Sequence, residues 1–168
     1  MKELIVIDDF LSKEDHHKIY ELTLKREWNP VDDTEDDPLS DQSGYNSCDT
    51  FQEEGTQIIL SECLEYPNLK KAITTNYFKS IYNKYDPKTP TYFHRDNDDG
   101  GWTFIYFPHI CEYNYQMGGE TQILVDNQIV GVLPLPNRLM VFDGSLQHKG
   151  TSFSNDQSRY SLAIQFQD

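Results

Sequence analysis

The sequence predicts a mainly β protein, a sandwich or barrel with helices packed beside it. Three observations lead there. From Lys79 onward, Tyr, Phe, Ile, Val and Thr recur in short runs separated by Gly, Pro and Asn, the signature of strands about four to eight residues long. Turn signals come at intervals suited to antiparallel strands rather than to β-α-β units. Helical periodicity is confined to residues 1–76, and a chain of 168 residues with 11 Tyr and 9 Phe holds enough apolar surface for one core in one domain.

Taken in order, Glu3 to Ile7 reads as a strand, followed by a turn at Asp8 and Asp9. Ser12 is placed to cap a helix, with Asp15 three positions on as a variant of the capping box. Ile19, Leu22 and Leu24 give that helix an apolar side to about Arg26. From Val31 to Ser47 the segment carries Asp32, Asp33, Glu35, Asp36, Asp37 and Asp41 with almost nothing apolar, which predicts a solvated loop because like charges repel in a compact state. Pro67 opens a second helix over Asn68–Asn76. The expected strands are Lys79–Tyr85, Thr91–Arg95, Trp102–Phe107, Glu120–Val125, Gln128–Leu133, Arg138–Asp143 and Arg159–Phe166, with Asp126-Asn127 as a two-residue hairpin turn.

Composition narrows the function. With 28 acidic against 14 basic residues the formal charge is -14, which argues against nucleic acid as a partner, since that affinity comes from clustered Lys and Arg. No membrane is expected either, because no apolar run approaches the ~20 residues a spanning helix needs. Leu4 to Ile7 is too short for a secretory signal. Cys48, Cys63 and Cys111 form no CxxC pair, so the expectation is incidental thiols in a reducing cytoplasm.

Five histidines are present. His16 and His17 are expected on the surface of the first helix, and His109, after Pro108, is expected to be structural or exposed. His94 and His148 differ. On a strand, residues two apart share a face, so His94 and Asp96 converge, and an antiparallel sandwich brings His148 back beside them. Two imidazoles and one carboxylate make the facial triad of non-haem Fe(II) oxygenases, which leaves coordination positions open. Arg159, with Ser161 on the same strand face, offers a planar fork and a hydroxyl for a carboxylate.

His94-Arg95-Asp96, His148 and Arg159-Tyr160-Ser161 together resemble the HxD…H…RxS signature of 2-oxoglutarate/Fe(II)-dependent dioxygenases. Tyr85, Thr103 to Phe107, Gly118-Gly119-Glu120-Thr121, Leu139 to Asp143 and His148-Lys149-Gly150 resemble the prolyl 4-hydroxylase-like branch, continuously from Tyr85 to Phe166. Val6 to Ser12 resembles that branch's entry strand and first helix.

This resemblance implies a double-stranded β-helix (a jelly roll) with flanking helices. The catalytic core would span about residues 77–168, after an N-terminal strand and helix region at 1–76. Iron would be held by His94, Asp96 and His148. The far carboxylate of 2-oxoglutarate would pair with Arg159, assisted by Ser161 and Tyr85. O2 is the second co-substrate and ascorbate a reductant. Retention of Asp96 separates the chain from halogenases. Lys is common in the branch where Arg159 stands, and a second tyrosine falls at Phe107, which has no hydroxyl. Tyr92, Trp102 and Tyr106 are candidates for the substrate pocket, with loops 31–47, 86–90 and 108–117 for recognition. The branch implies hydroxylation of an unactivated carbon in a prolyl residue of a peptide or protein. The alternatives are a small-molecule hydroxylase acting on an amino acid or sugar derivative, a cupin-like metal binder without oxygenase activity, and a catalytically silent interaction module.

Overall fold

The structure, a computed structural model, describes residues 4–31, 44–73, 76–98 and 100–167. Most of the acidic segment, residues 32–43, lies outside these, as do Thr74 and Thr75 of the second expected helix. The elements run β1 (Leu4–Ile7), α1 (Lys13–Leu24), β2 (Asn29–Pro30), β3 (Tyr45–Asp49), α2 (Glu54–Cys63), α3 (Pro67–Lys70), β4 (Tyr77–Tyr85), β5 (Trp102–Phe107), a 3-10 turn (Tyr115–Met117), β6 (Thr121–Val125), β7 (Gln128–Val132), β8 (Arg138–Asp143), β9 (His148–Gly150) and β10 (Arg159–Phe166). They build three layers: helices, a seven-stranded sheet ordered β1-β8-β5-β10-β4-β3-β2, and a three-stranded sheet ordered β7-β6-β9. All strand pairs are antiparallel. This is the predicted jelly roll.

Strand periodicity divides the core in two. Phe104, Tyr106, Leu139, Val141, Leu162, Ile164 and Phe166 face the helices and pack on Ile19, Ile59, Leu60 and Leu69. Ile105, Phe107, Met140, Phe142 and Ala163 face the small sheet and meet Ile123 and Val132. Strands covered on both faces explain the unbroken apolar runs of β5 and β8.

Several local expectations hold. Ser12 Oγ accepts the Asp15 backbone N–H at 3.1 Å, capping α1. Asp126 and Asn127 both adopt positive φ, 48° and 62°, the geometry a two-residue hairpin between β6 and β7 requires.

Others are corrected. Thr91–Arg95 is not a strand; only His94 bridges, pairing with His148, and Pro90 and the preceding turn keep the rest from joining a ladder. The helix after Tyr66 stops at Lys70 rather than Asn76. Helix α2 and strand β3 are additions: β3 begins at Tyr45, inside the segment read as loop, and pairs with β4. His16 is half-buried rather than on the surface, its Nδ1 lying 2.6 Å from Tyr106 Oη, whereas His17 is exposed as expected. Among the described residues no helix is long and apolar enough to cross a membrane.

Candidate active site

His94 and His148 meet through backbone before they meet through side chains. Each donates its N–H to the other's carbonyl, at 2.9 and 2.8 Å, and Asp96 N–H is held by Gly144 O at 3.1 Å. The segment before β5 is thereby fixed against β9 and the β8–β9 turn. Asp96 Oδ1 lies 3.7 Å from His94 Nε2 and Oδ2 lies 3.4 Å from His148 Nε2. One ligand atom from each of the three residues falls within 4.8 Å of the others, so the cluster is sized for a single cation.

The surroundings prepare these atoms for a metal. Nδ1 of His94 faces Tyr92 O at 3.2 Å and Nδ1 of His148 faces Leu146 O at 3.0 Å. A protonated Nδ1 donating to a carbonyl leaves Nε2 with a free lone pair. Burial, and then the neighbouring His148, push the His94 pKa below its ordinary value, which favours the neutral imidazole. Thr103 Oγ1 donates to Asp96 Oδ2 at 2.6 Å and so orients the carboxylate.

Arg159 borders the same cavity from β10 and is 1% exposed. Nε donates to Gly119 O and Nη2 to Thr121 Oγ1, both at 2.7 Å, while the guanidinium carbon lies 5.3 Å from the ring centres of Tyr85 and Phe107. Burial lowers its pKa to about 10, so it remains a cation at neutral pH. Among the described residues it forms no ion pair with a carboxylate. The Glu120 charge reaches it without contact; a buried cation with no carboxylate against it is costly, and it suits an anionic ligand. Ser161, two positions along β10, and Tyr85, directly opposite Arg159 on β4, line the cavity beside it. Burial raises the Tyr85 pKa, with the Asp96 charge adding to the effect and Arg159 opposing it; the phenol keeps its proton and can donate.

The aromatic candidates do not gather here. Tyr106 points to the helix layer, where its hydroxyl donates to Asn137 Oδ1 at 2.9 Å. Trp102 packs on the same side, near Lys71. Both alternate away from the cavity because Thr103 and Ile105 alternate toward it. Tyr92 is exposed and touches the site only by its carbonyl. His109 is structural, as expected: it is buried, Nε2 accepts Tyr160 N–H at 3.1 Å, and burial drives its pKa down to about 3.

The residues missed include Thr103 as a support for Asp96, Thr121 and Gly150 around Arg159, Asn83 opposite Ser161, and Lys79 with Gln165 farther along β4 and β10. Strand period was the available signal for the last pair. Counting by twos from Arg159 reaches Gln165, the one amide in the apolar second half of β10.

No family model matches the chain, and no curated protein matches its sequence. Solved structures do match its fold. A prolyl-4-hydroxylase from Pseudomonas putida superposes with a TM-score of 0.78 at 18% identity, over 100% of this chain and 94% of that one. A Trichoplax adhaerens prolyl hydroxylase, in complex with a hypoxia-inducible-factor oxygen degradation domain peptide fragment, gives 0.73 at 18% identity, covering 98% and 83%. HygX from Streptomyces hygroscopicus, with nickel and 2-oxoglutarate bound, gives 0.69 at 8% identity, covering 98% and 82%. The fold is shared with 2-oxoglutarate/Fe(II) oxygenases.

Proposed function

We propose that this chain is a 2-oxoglutarate- and O2-dependent Fe(II) dioxygenase that hydroxylates an unactivated carbon, with a prolyl residue of a peptide or protein as its substrate. One observation carries the reading: a single cavity holds both a His-Asp-His cluster and a buried arginine free of any carboxylate partner among the described residues. A simple metal-binding barrel has no use for that arginine.

In this reading His94, Asp96 and His148 hold Fe(II) and leave positions for a bidentate co-substrate and O2. When bound, the metal supplies the oxidation in which one oxygen atom of O2 enters a substrate C–H bond and the other enters 2-oxoglutarate, which leaves as succinate and CO2. Arg159 binds the far carboxylate through charge and hydrogen bonds, and Ser161 and Tyr85 are placed to add hydroxyl donors. Ile81, Ile105 and Ala163 line the cavity with apolar surface that keeps water from the reacting carbon. Ascorbate would serve as the reductant that returns oxidised iron to Fe(II).

The prolyl substrate is supported by the prolyl hydroxylases among the fold's neighbours, one of them in complex with a peptide fragment. A small-molecule substrate is favoured by a different observation, the polar pair Lys79 and Gln165 inside the cavity.

Anaerobic addition of Fe(II) and then 2-oxoglutarate should raise a visible metal-to-ligand charge-transfer band, absent in His148→Ala. Bound iron without that band would overturn the oxygenase reading and leave a metal-binding barrel.

A further inference from the structure

Toward the ends of β4 and β10 remote from Arg159 the cavity becomes polar again. Gln165 is 7% exposed, and its Oε1 is buried without a hydrogen-bond partner. Lys79 stands directly opposite on β4. It is half-buried, its Nζ lies 5.2 Å from the centre of the Phe78 ring, and it forms no ion pair among the described residues. Buried acceptors in native proteins are nearly always satisfied, and leaving one unmet costs free energy. Between this pair and the metal cluster the wall is apolar, with Ile81 and Ala163. Gln165 stands six positions beyond Arg159, about 20 Å of strand. No five-carbon diacid spans that length, so a 2-oxoglutarate held at Arg159 leaves the second pair untouched.

We propose that Lys79 and Gln165 are specificity-determining residues that bind the head group of the reacting substrate: Lys79 takes a carboxylate, and Gln165 Oε1 takes an N–H donor adjacent to it. The inference rests on the oxygenase reading above and names its substrate class. A carboxylate with a neighbouring N–H occurs in a free amino acid and at the C-terminus of a peptide. An overall charge of -14 opposes a multiply acidic polypeptide, whereas a single carboxylate beside a lysine meets a local cation.

The test uses the full chain loaded with Mn(II) and 2-oxoglutarate, with dissociation constants read by calorimetry. Succinate release from the Fe(II) protein is the parallel readout. The probes are L-proline and L-prolinamide, then N-acetyl-prolyl-glycine and its C-terminal amide. Each acid should bind about tenfold or more tightly than its amide. Lys79→Met should erase that ratio, Gln165→Leu should weaken both acids, and neither should alter 2-oxoglutarate affinity, which also shows that the variants are folded. The tighter of the two acids identifies the source, free amino acid or peptide end. Acids and amides that bind alike, a wild-type protein that binds none of the four, or an acid-to-amide ratio that survives Lys79→Met would each overturn the proposal. Failure of the wild-type protein to bind 2-oxoglutarate would instead overturn the oxygenase reading, and the probe affinities for the Mn(II) protein would still be read.

Discussion

Removing the Arg159 guanidinium leaves a hollow between Gly119, Thr121, Tyr85 and Phe107 that has lost its buried cation. Arg159→Leu should therefore raise the dissociation constant for 2-oxoglutarate by a factor on the order of 10² while Mn(II) affinity is kept. Arg159→Lys should recover part of the loss, since an ammonium supplies the charge without the fork. Titration of the Mn(II) proteins checks this, and unchanged affinity in the leucine variant would remove Arg159 from the site. His109 makes a different statement, about stability. Its folded pKa lies near 3 against an ordinary 6.5, because burial disfavours the cation. The unfolded chain takes up that proton first, so stability is present above 6.5 and is lost as pH falls toward 3. The slope from this one group is about 1.4 kcal/mol per pH unit. His109→Gln should flatten it, read as urea midpoints of both metal-free proteins at pH 7 and pH 4.5. Equal acid losses in the two proteins would refute the assignment.

Element by element, β9 is the strand on which the two halves of the site depend. His148 and Gly150 share one face of it, the first reaching the metal cluster and the second lying beneath Arg159. A Cβ on Gly150 would stand 2.9 Å from Arg159 Nη1 and 3.2 Å from Tyr85 Cε2. Gly150→Ala should displace the guanidinium and weaken 2-oxoglutarate binding about tenfold or more. Metal affinity should stay near wild type, because His148 keeps its bridge to His94. Parallel titrations with Mn(II) and 2-oxoglutarate check this, and a matched fall in both would mean that β9 itself had been disrupted. Three residues long, β9 carries no periodicity, so the sequence identifies His148 by motif and not as a strand. β8 and β10 are legible to the residue, since each carries an apolar stretch, Leu139–Phe142 in β8 and Leu162–Ile164 in β10, within a strand that begins at an arginine. α2 escapes the same reading because Gly55 and Thr56 dilute its first turn, although Ile59, Leu60 and Cys63 line one face and are buried. β3 escapes because an edge-side strand with Asn, Ser and Asp looks like the acidic segment before it. The convergence of His94 and Asp96 is legible but for the wrong reason: the two are held by a bridge and a turn carbonyl, not by the pleat of a strand.

For the molecule as a whole, the His94, Asp96 and His148 cluster is a tie between layers. His148 belongs to the three-stranded sheet, and His94 and Asp96 belong to the segment that enters the seven-stranded sheet at β5. That segment also holds Gly144, at the end of β8, through Asp96 N–H. A cation bound to all three residues binds the folded chain and not the unfolded one, in which His148 lies 52 positions along the chain from Asp96. Linkage then adds about 2.7 kcal/mol of stability when free metal is a hundredfold above its dissociation constant. For a chain of this size each kcal/mol moves the melting temperature by about 2–4 °C. Mn(II) at that excess should therefore raise Tm by roughly 5–10 °C, and EDTA should reverse the rise. His148→Ala should melt at the same temperature with and without metal. A rise of equal size in that variant would place the stabilising cation elsewhere, for which the 28 carboxylates of the chain offer ample surface. It would also separate metal binding from the jelly roll's two-layer closure, since a cation held by one layer alone cannot tie that layer to the other.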